Sequence, residues 1–155
     1  MSVASLALSL VDVQAHGDLP ARRTLRGWIL RALERDARLT LVFVDSRSGR
    51  KLNREYRGRD YATNVLTFTY EIQAAPGMPT TPVVADIVLC MPVVRREARE
   101  QGKTLRAHLA HLVIHGVLHA QGYDHERKRD ARRMQAVESQ LLAALRIADP
   151  YAPAC

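Results

Sequence analysis

Three histidines in the stretch "HGVLHAQGYDH", residues 115–125, have the type and spacing to hold a metal ion. His115 and His119 are four residues apart, so on a helix they share one face, a turn apart, and can grip one ion. Gly122 then offers the left-handed conformation that ends a helix and reverses the chain. His125 follows the reversal and can return to the same point. Three neutral imidazoles leave a fourth position for water, the layout of a catalytic rather than a structural zinc site. A helical hairpin can carry histidines for packing alone. The glycine and the third histidine at the right offsets favour one bound metal per chain, zinc first, with other transition metals possible. His108 and His111 fall on the same helical arc, and His111 could pair with His115 instead. Neither has a glycine turn and a third histidine behind it, so both read as neighbours of the site or as structural residues.

The stretch fits the zinc-protease pattern H-E-x-x-H-x-x-G-x-x-H at every fixed position but one. Gly116 stands where a protease carries the glutamate that moves a proton from bound water to the leaving amine. Peptide cleavage depends on that transfer. Asp124 and Glu126 are near in sequence and could replace the glutamate in a peptidase or amidase. Alternatively, zinc lowers the pKa of its own water to about 7, which suits a better leaving group such as that of a phosphodiester. Phosphoryl transfer also asks for cations around the non-bridging oxygens.

Cations are plentiful. The chain has a formal net charge of +7 and a pI near 10.0. Such a surface attracts polyanions, nucleic acid above all. Nearly all of its 23 basic residues are arginine, a bias that coding-DNA composition can also produce. In "SRSGRKLNREYRGRD", Arg47, Arg50, Arg54 and Arg57 are spaced 3, 4, 3. On a helix they make one basic stripe about 80° wide, a candidate RNA-binding face, with Leu52 and Tyr56 opposite and able to pack. An ordinary solvated helix face has the same look. Asp60, Thr63 and Asn64 follow at a loop–strand junction, a frequent place for functional groups.

These residues must be positioned by a modest set of elements. A length of 155 residues suits one domain, 1–155, with room for a core. No apolar run approaches the ~20 residues of a membrane span, and the apolar N-terminus reads as a first strand rather than a signal peptide. Cys90 and Cys155 make no disulfide framework, and a reducing, cytoplasmic setting is the default. Strands are expected at 5–14, 38–45, 62–71 and 83–90, with a turn-rich loop at 74–82. Helices are expected at 19–36, at 47–57 with Ser46 as its cap, from Pro92 to Gly102, at 104–122 and at 129–147. Strands come mostly first and helices last, so the fold class is α+β: a mixed sheet of about four strands with helices packed on it. The three-histidine metal site falls on a central helix and the turn after it.

The segments "LNREYRGRDYATNVLTF", "ADIVLC", "AHLVIHGVLHAQGYDH" and the closing "DPY" together resemble the YbeY family of metal-dependent endoribonucleases, or rRNA maturation factors. The resemblance spans roughly residues 52–151. It implies an α+β fold with a mixed sheet and a zinc-like metal on His115, His119 and His125. It implies a functional arginine in the Y-R-x-[KR]-D segment, here Arg57, so that catalytic roles fall to Arg57, His115 and His119. The implied activity is endonucleolytic cutting of single-stranded RNA, in 3′-end maturation of small-subunit ribosomal RNA and ribosome quality control. The implied partners are the small ribosomal subunit, ribosomal proteins and assembly GTPases, with no membrane. The chain departs from the family's usual pattern at Thr67-Phe68-Thr69, where S-F-P is common, and at Ala85-Asp86, where Gly-Asp is common. A second alternative to the nuclease, besides a peptidase, is a non-catalytic ribosome-assembly factor with a structural metal.

Overall fold

The computed structural model describes residues 4–71 and 81–151. Four strands and five helices run in the order β1 (Leu6–Val11), α1 (Arg22–Ala32), β2 (Ala37–Val44), α2 (Ser46–Arg57), β3 (Val65–Tyr70), β4 (Val83–Cys90), α3 (Met91–Glu100), α4 (Leu105–Ala120) and α5 (Lys128–Ala144), with a 3-10 turn at Val13–Ala15. The strands form one sheet in the order β1-β2-β4-β3. β1, β2 and β4 are parallel, and β3 runs antiparallel to β4 along one edge. This is the expected α+β fold with a mixed four-stranded sheet.

The sheet buries both faces, and alternation along the strands sorts the side chains between them. Leu39, Leu41 and Phe43 of β2 and Ala85, Ile87 and Leu89 of β4 join the larger core, which α1, α4 and α5 complete. Val44, Leu66, Val88 and Cys90 point the other way, into a smaller core that Leu52 of α2 and Phe68 of β3 cover. Cys90 is a buried free thiol, while Cys155 lies outside the described residues. α4 is the central helix. Its run of Leu109, Ala110, Leu112, Val113, Ile114, Val117 and Leu118 is buried almost all round, as a helix with apolar residues on most faces must be. Among the described residues, no helix is long and apolar enough to cross a membrane.

Several element ends differ from expectation for local reasons. α1 is shorter than 19–36 because Leu33 turns extended, and the side chain of Gln121 takes up the carbonyl of Ala32 at 2.8 Å. α2 is capped by Asp45 rather than Ser46: its carboxylate accepts from the backbone N of Ser48 at 2.8 Å, an N-cap contact worth ~1 kcal/mol. β3 begins at Val65, not 62, because Asn64 spends its side chain on the chain's own turn, accepting from Val65 N at 2.7 Å. Most of the turn-rich loop at 74–82 lies outside the described residues.

Candidate metal centre and catalytic cleft

The histidine stretch folds as its local chemistry requires. Thr104 caps α4, accepting from Ala107 N at 3.1 Å. At the other end Gly122 adopts φ +103°. Its N–H donates to His119 O at 3.0 Å, and the N–H of Tyr123 donates to Leu118 O at 3.1 Å. These are the paired bonds of a Schellman turn. Asp124 then accepts from the backbone of His125 at 2.7 Å and of Glu126 at 3.1 Å. The turn is pinned to the rest of the fold as well. Gln121 accepts from Glu34 N at 2.7 Å, and the Tyr123 hydroxyl donates to Glu34 at 2.7 Å.

The result is a cluster of rings. His125 lies 5.4 Å from His115 and 5.8 Å from His119, centroid to centroid. Among the described residues, no group of three or more histidine, cysteine or carboxylate side chains is arranged to hold an ion as it stands. The donor chemistry nevertheless fits one. The Nδ1 of His115 meets Glu138 Oε1 at 2.5 Å, and the Nδ1 of His119 meets the Tyr123 carbonyl at 3.1 Å. A proton on each Nδ1 leaves each Nε2 with a free lone pair, the tautomer that a metal ligand needs. Burial pushes the pKa of His119 below its ordinary value, against the pull of the Tyr123 carbonyl, and so keeps the ring neutral.

Glu138, which sequence reasoning passed over, is the centre of a second layer. It is fully buried on α5. Burial alone would raise its pKa, but hydrogen bonds with His111, His115 and Tyr151 outweigh it and hold the group at about 2. Glu138 is therefore a carboxylate. The Tyr151 hydroxyl donates to its second oxygen, and Nε2 of His111 lies 3.1 Å from that hydroxyl. Tyr151 is held in turn by Asp149, which accepts from Tyr151 N at 2.9 Å and from Ser139 on α5 at 2.8 Å. The pattern of α5 carries a trace of this: Glu138 falls between Met134 and Leu142, each four residues away, in one buried row. A carboxylate in a core row needs a partner.

His111 thus belongs to the network behind His115. His108 belongs elsewhere: its Nε2 meets Glu97 of α3 at 3.0 Å, and Glu97 also accepts from Asn64 at 3.0 Å. Asn64 ties β3 to α3, a structural task.

A cleft of about 230 Å³ joins the histidines to the basic helix. It is lined by His115 and His119 of α4, Tyr56 and Arg57 of α2, and Val65, Leu66, Thr67 and Phe68 of the edge strand β3. α2 ends there because Gly58 takes φ +67° and its N–H closes on Arg54 O at 3.1 Å. The four-arginine stripe is less uniform than its spacing. Arg50 grips Asp60 with two bonds of 2.8 Å, and Arg54 lies 3.8 Å from the same carboxylate. The Arg50 guanidinium holds the Asp60 pKa below its ordinary value. Arg47, Arg50 and Arg54 line a separate groove beside Ser46 and Lys51. Arg57 alone of the four lines the cleft with His115 and His119.

Gly116 explains the absent glutamate. A Cβ built there would lie 2.8 Å from Cγ2 of Ile87 and 3.4 Å from the Thr67 hydroxyl. α4 presses so closely on the sheet that any side chain there would force Ile87 to shift. Asp124 is a poor substitute base: one oxygen already serves two backbone N–H groups, which lower its pKa. A histidine helix that shares a cleft with an arginine, and carries a closely packed glycine where a protease has glutamate, suits phosphodiester hydrolysis better than peptide cleavage. The family model described as Endoribonuclease YbeY matches residues 21–146, and the chain belongs to that family. It is 57% identical over 139 residues to the Endoribonuclease YbeY of Cupriavidus necator, covering 90% of this chain and 68% of that one. It is 50% identical over 150 residues to that of Methylibium petroleiphilum, covering 97% and 95%. Its fold is similar to the solution structure of TM1509 from Thermotoga maritima, with a TM-score of 0.53 and 23% identity over 94% of this chain and 99% of that one.

Proposed function

We propose that the chain works as a single-domain, metal-dependent endoribonuclease, 1–155, that cuts single-stranded RNA in the cytoplasm. Its task is the processing of ribosomal RNA, 3′-end maturation of the small subunit together with ribosome quality control. Ribosomal proteins and assembly GTPases are its expected neighbours. One observation carries the chemical part: Arg57, His115 and His119 line the same cleft.

His115, His119 and His125 would hold one ion, zinc first among the candidates. Such an ion, when bound, supplies a Lewis acid and a water of lowered pKa. The protein's own groups do the rest. Glu138 and the Tyr123 carbonyl hold two of the rings by Nδ1, which would leave each Nε2 free to take the ion. Arg57, always charged and fork-shaped, lines the same cleft to bind the scissile phosphate and offset charge that builds on its oxygens. Arg47 and its neighbours on α2 extend the positive surface for the flanking phosphates.

The test is cleavage of a defined single-stranded RNA by metal-loaded wild type, His119→Ala and Arg57→Ala, prepared identically. Arg57→Ala should slow single-turnover cleavage at saturating RNA by roughly a hundred- to a thousand-fold, and Arg57→Lys should recover part of that. Activity must vanish in His119→Ala and return with metal to chelated wild type, which excludes contaminating ribonucleases. Equal rates in wild type and Arg57→Ala would remove Arg57 from the catalytic set.

A further inference from the structure

The cleft holds aromatic rings that the reaction as described does not use. The chain is poor in aromatics, at 5% of residues. Even so, Tyr56 on the last turn of α2 meets Phe68 of β3 edge-on, with centroids 4.6 Å apart and planes at 61°. Both rings line the cleft with Arg57, His115 and His119. Tyr56 is 65% exposed, and among the described residues its one aromatic contact is Phe68. Tyr70 stands on the same face of β3 as Phe68, two residues on, and is 51% exposed. Its hydroxyl is fixed to Asp86 at 2.7 Å, so its ring is held in place.

We infer that Tyr56 and Phe68 form a nucleobase-stacking site that holds one unpaired base next to the scissile phosphate. The inference rests on the endoribonuclease reading and deepens it. Three observations favour a base over other occupants. The rings lie beside the arginine and the histidines, so a group stacked there is within a nucleotide of the reacting phosphate. Arg57 lines the same cleft and three more arginines lie along the same helix, which suits a ligand whose flat ring hangs from a phosphate chain. Part of the lining is an edge strand, whose outer main-chain groups can meet the polar rim of a base. A base inside a duplex has both faces covered by its neighbours and its edge by its partner. Only an unstacked base can offer a face to Tyr56. Selection of single strands then follows from the shape of the site and needs no sequence readout.

The experiment uses the full chain and short RNAs carrying 2-aminopurine, a base whose fluorescence is quenched on stacking, at each position in turn. Binding is read with His119→Ala, so that no cutting occurs. One position should quench on binding, and Tyr56→Leu should abolish that quench while Tyr56→Phe keeps it. With active protein, an abasic nucleotide at that same position should slow wild-type cleavage at sub-saturating RNA about ten-fold or more, and should cost nothing further in Tyr56→Leu. Tyr56 is exposed, so its replacement leaves the core intact, and far-ultraviolet dichroism checks this. No quench at any position, or a quench that survives in Tyr56→Leu, overturns the inference. A quench that follows Tyr56 in a protein that cuts no RNA upholds the stacking site while it defeats the nuclease reading.

Discussion

Glu138 and His115 face each other across the α4–α5 interface, the carboxylate of one accepting the ring N–H of the other where no solvent reaches the acid. The pair fixes a proton on one side of the imidazole and so frees the opposite nitrogen. Replacing Glu138 with Gln keeps one acceptor but loses the charge. Metal affinity, measured by competition with a chelating dye, should fall roughly 10- to 100-fold. Glu138→Ala should fall further and should also destabilise the fold, since it leaves buried donors unpaired. Direct metal analysis should show strong loss in His115→Ala, His119→Ala and His125→Ala and full occupancy in His16→Ala. An empty site in His111→Ala beside a full one in His125→Ala would replace His125 by His111 in the ligand set.

Gly116 has its own test. An alanine there gains up to ~1 kcal/mol in helix propensity but forces a methyl against buried Ile87. Overpacking of this kind costs ~1–3 kcal/mol, so Gly116→Ala should unfold at lower urea than wild type. Ile87→Ala opens space at the same point. The double variant should therefore be less destabilised than the sum of the two singles, by about 0.5–3 kcal/mol. Strict additivity in urea melts would show that the close approach has no energetic consequence.

The pairing of Asp60 with Arg50 and Arg54 predicts a gain of binding from the loss of an acid. Asp60→Asn releases both guanidinium groups to the solvent. Affinity for single-stranded RNA should rise, and the slope of log K against log salt should steepen by about one ion contact. Filter binding across a salt series measures both. A slope unchanged from wild type would mean that this part of α2 does not touch phosphates.

His108 predicts a pH effect on stability. Burial, acting against the hydrogen bond that Glu97 accepts from the ring, holds its pKa below the ordinary 6.5, with Lys103 and His111 also disfavouring the charge. The unfolded chain therefore binds this proton at a higher pH than the folded one. Stability is full above about pH 6.5 and falls as pH drops from there towards the depressed value. Metal-free His108→Gln should lose less of its stability than wild type between pH 7.5 and pH 5 in urea titrations. Parallel losses would assign the acid sensitivity to other groups.

The parts of the fold set by local sequence could be read without coordinates. The run from Leu105 to Ala120 is apolar on most faces, and Gly122 ends it by a backbone conformation that the residue type announces. The sheet was legible from alternation in 5–14 and from apolar, β-branched runs such as 38–45 between turn formers. What was not legible depends on residues far apart in sequence. Asp60 neutralises part of a stripe whose spacing alone makes it look uniformly basic. Asp45 outcompetes Ser46 as a cap by one position, a margin that propensities do not resolve. Glu138 looks like one more charge on an amphipathic helix until α4 brings His115 against it. Tyr56 was expected to pack, and it does so on a single edge, which leaves most of its ring uncovered.

The tight seat of Gly116 also bears on descent. The motif differs from a protease's by one codon's worth of change, so the two chemistries look adjacent. They are not adjacent for this backbone. A glutamate at 116 requires Ile87 to give way first, and a smaller residue at 87 leaves a void until 116 is filled. Each change alone should lower stability, and the pair should recover part of the packing. With this helix-to-sheet spacing, a glutamate at 116 calls for a second change at 87 or a shift of the helix. The spacing of two elements, rather than the ligands themselves, keeps the histidine centre committed to its present reaction.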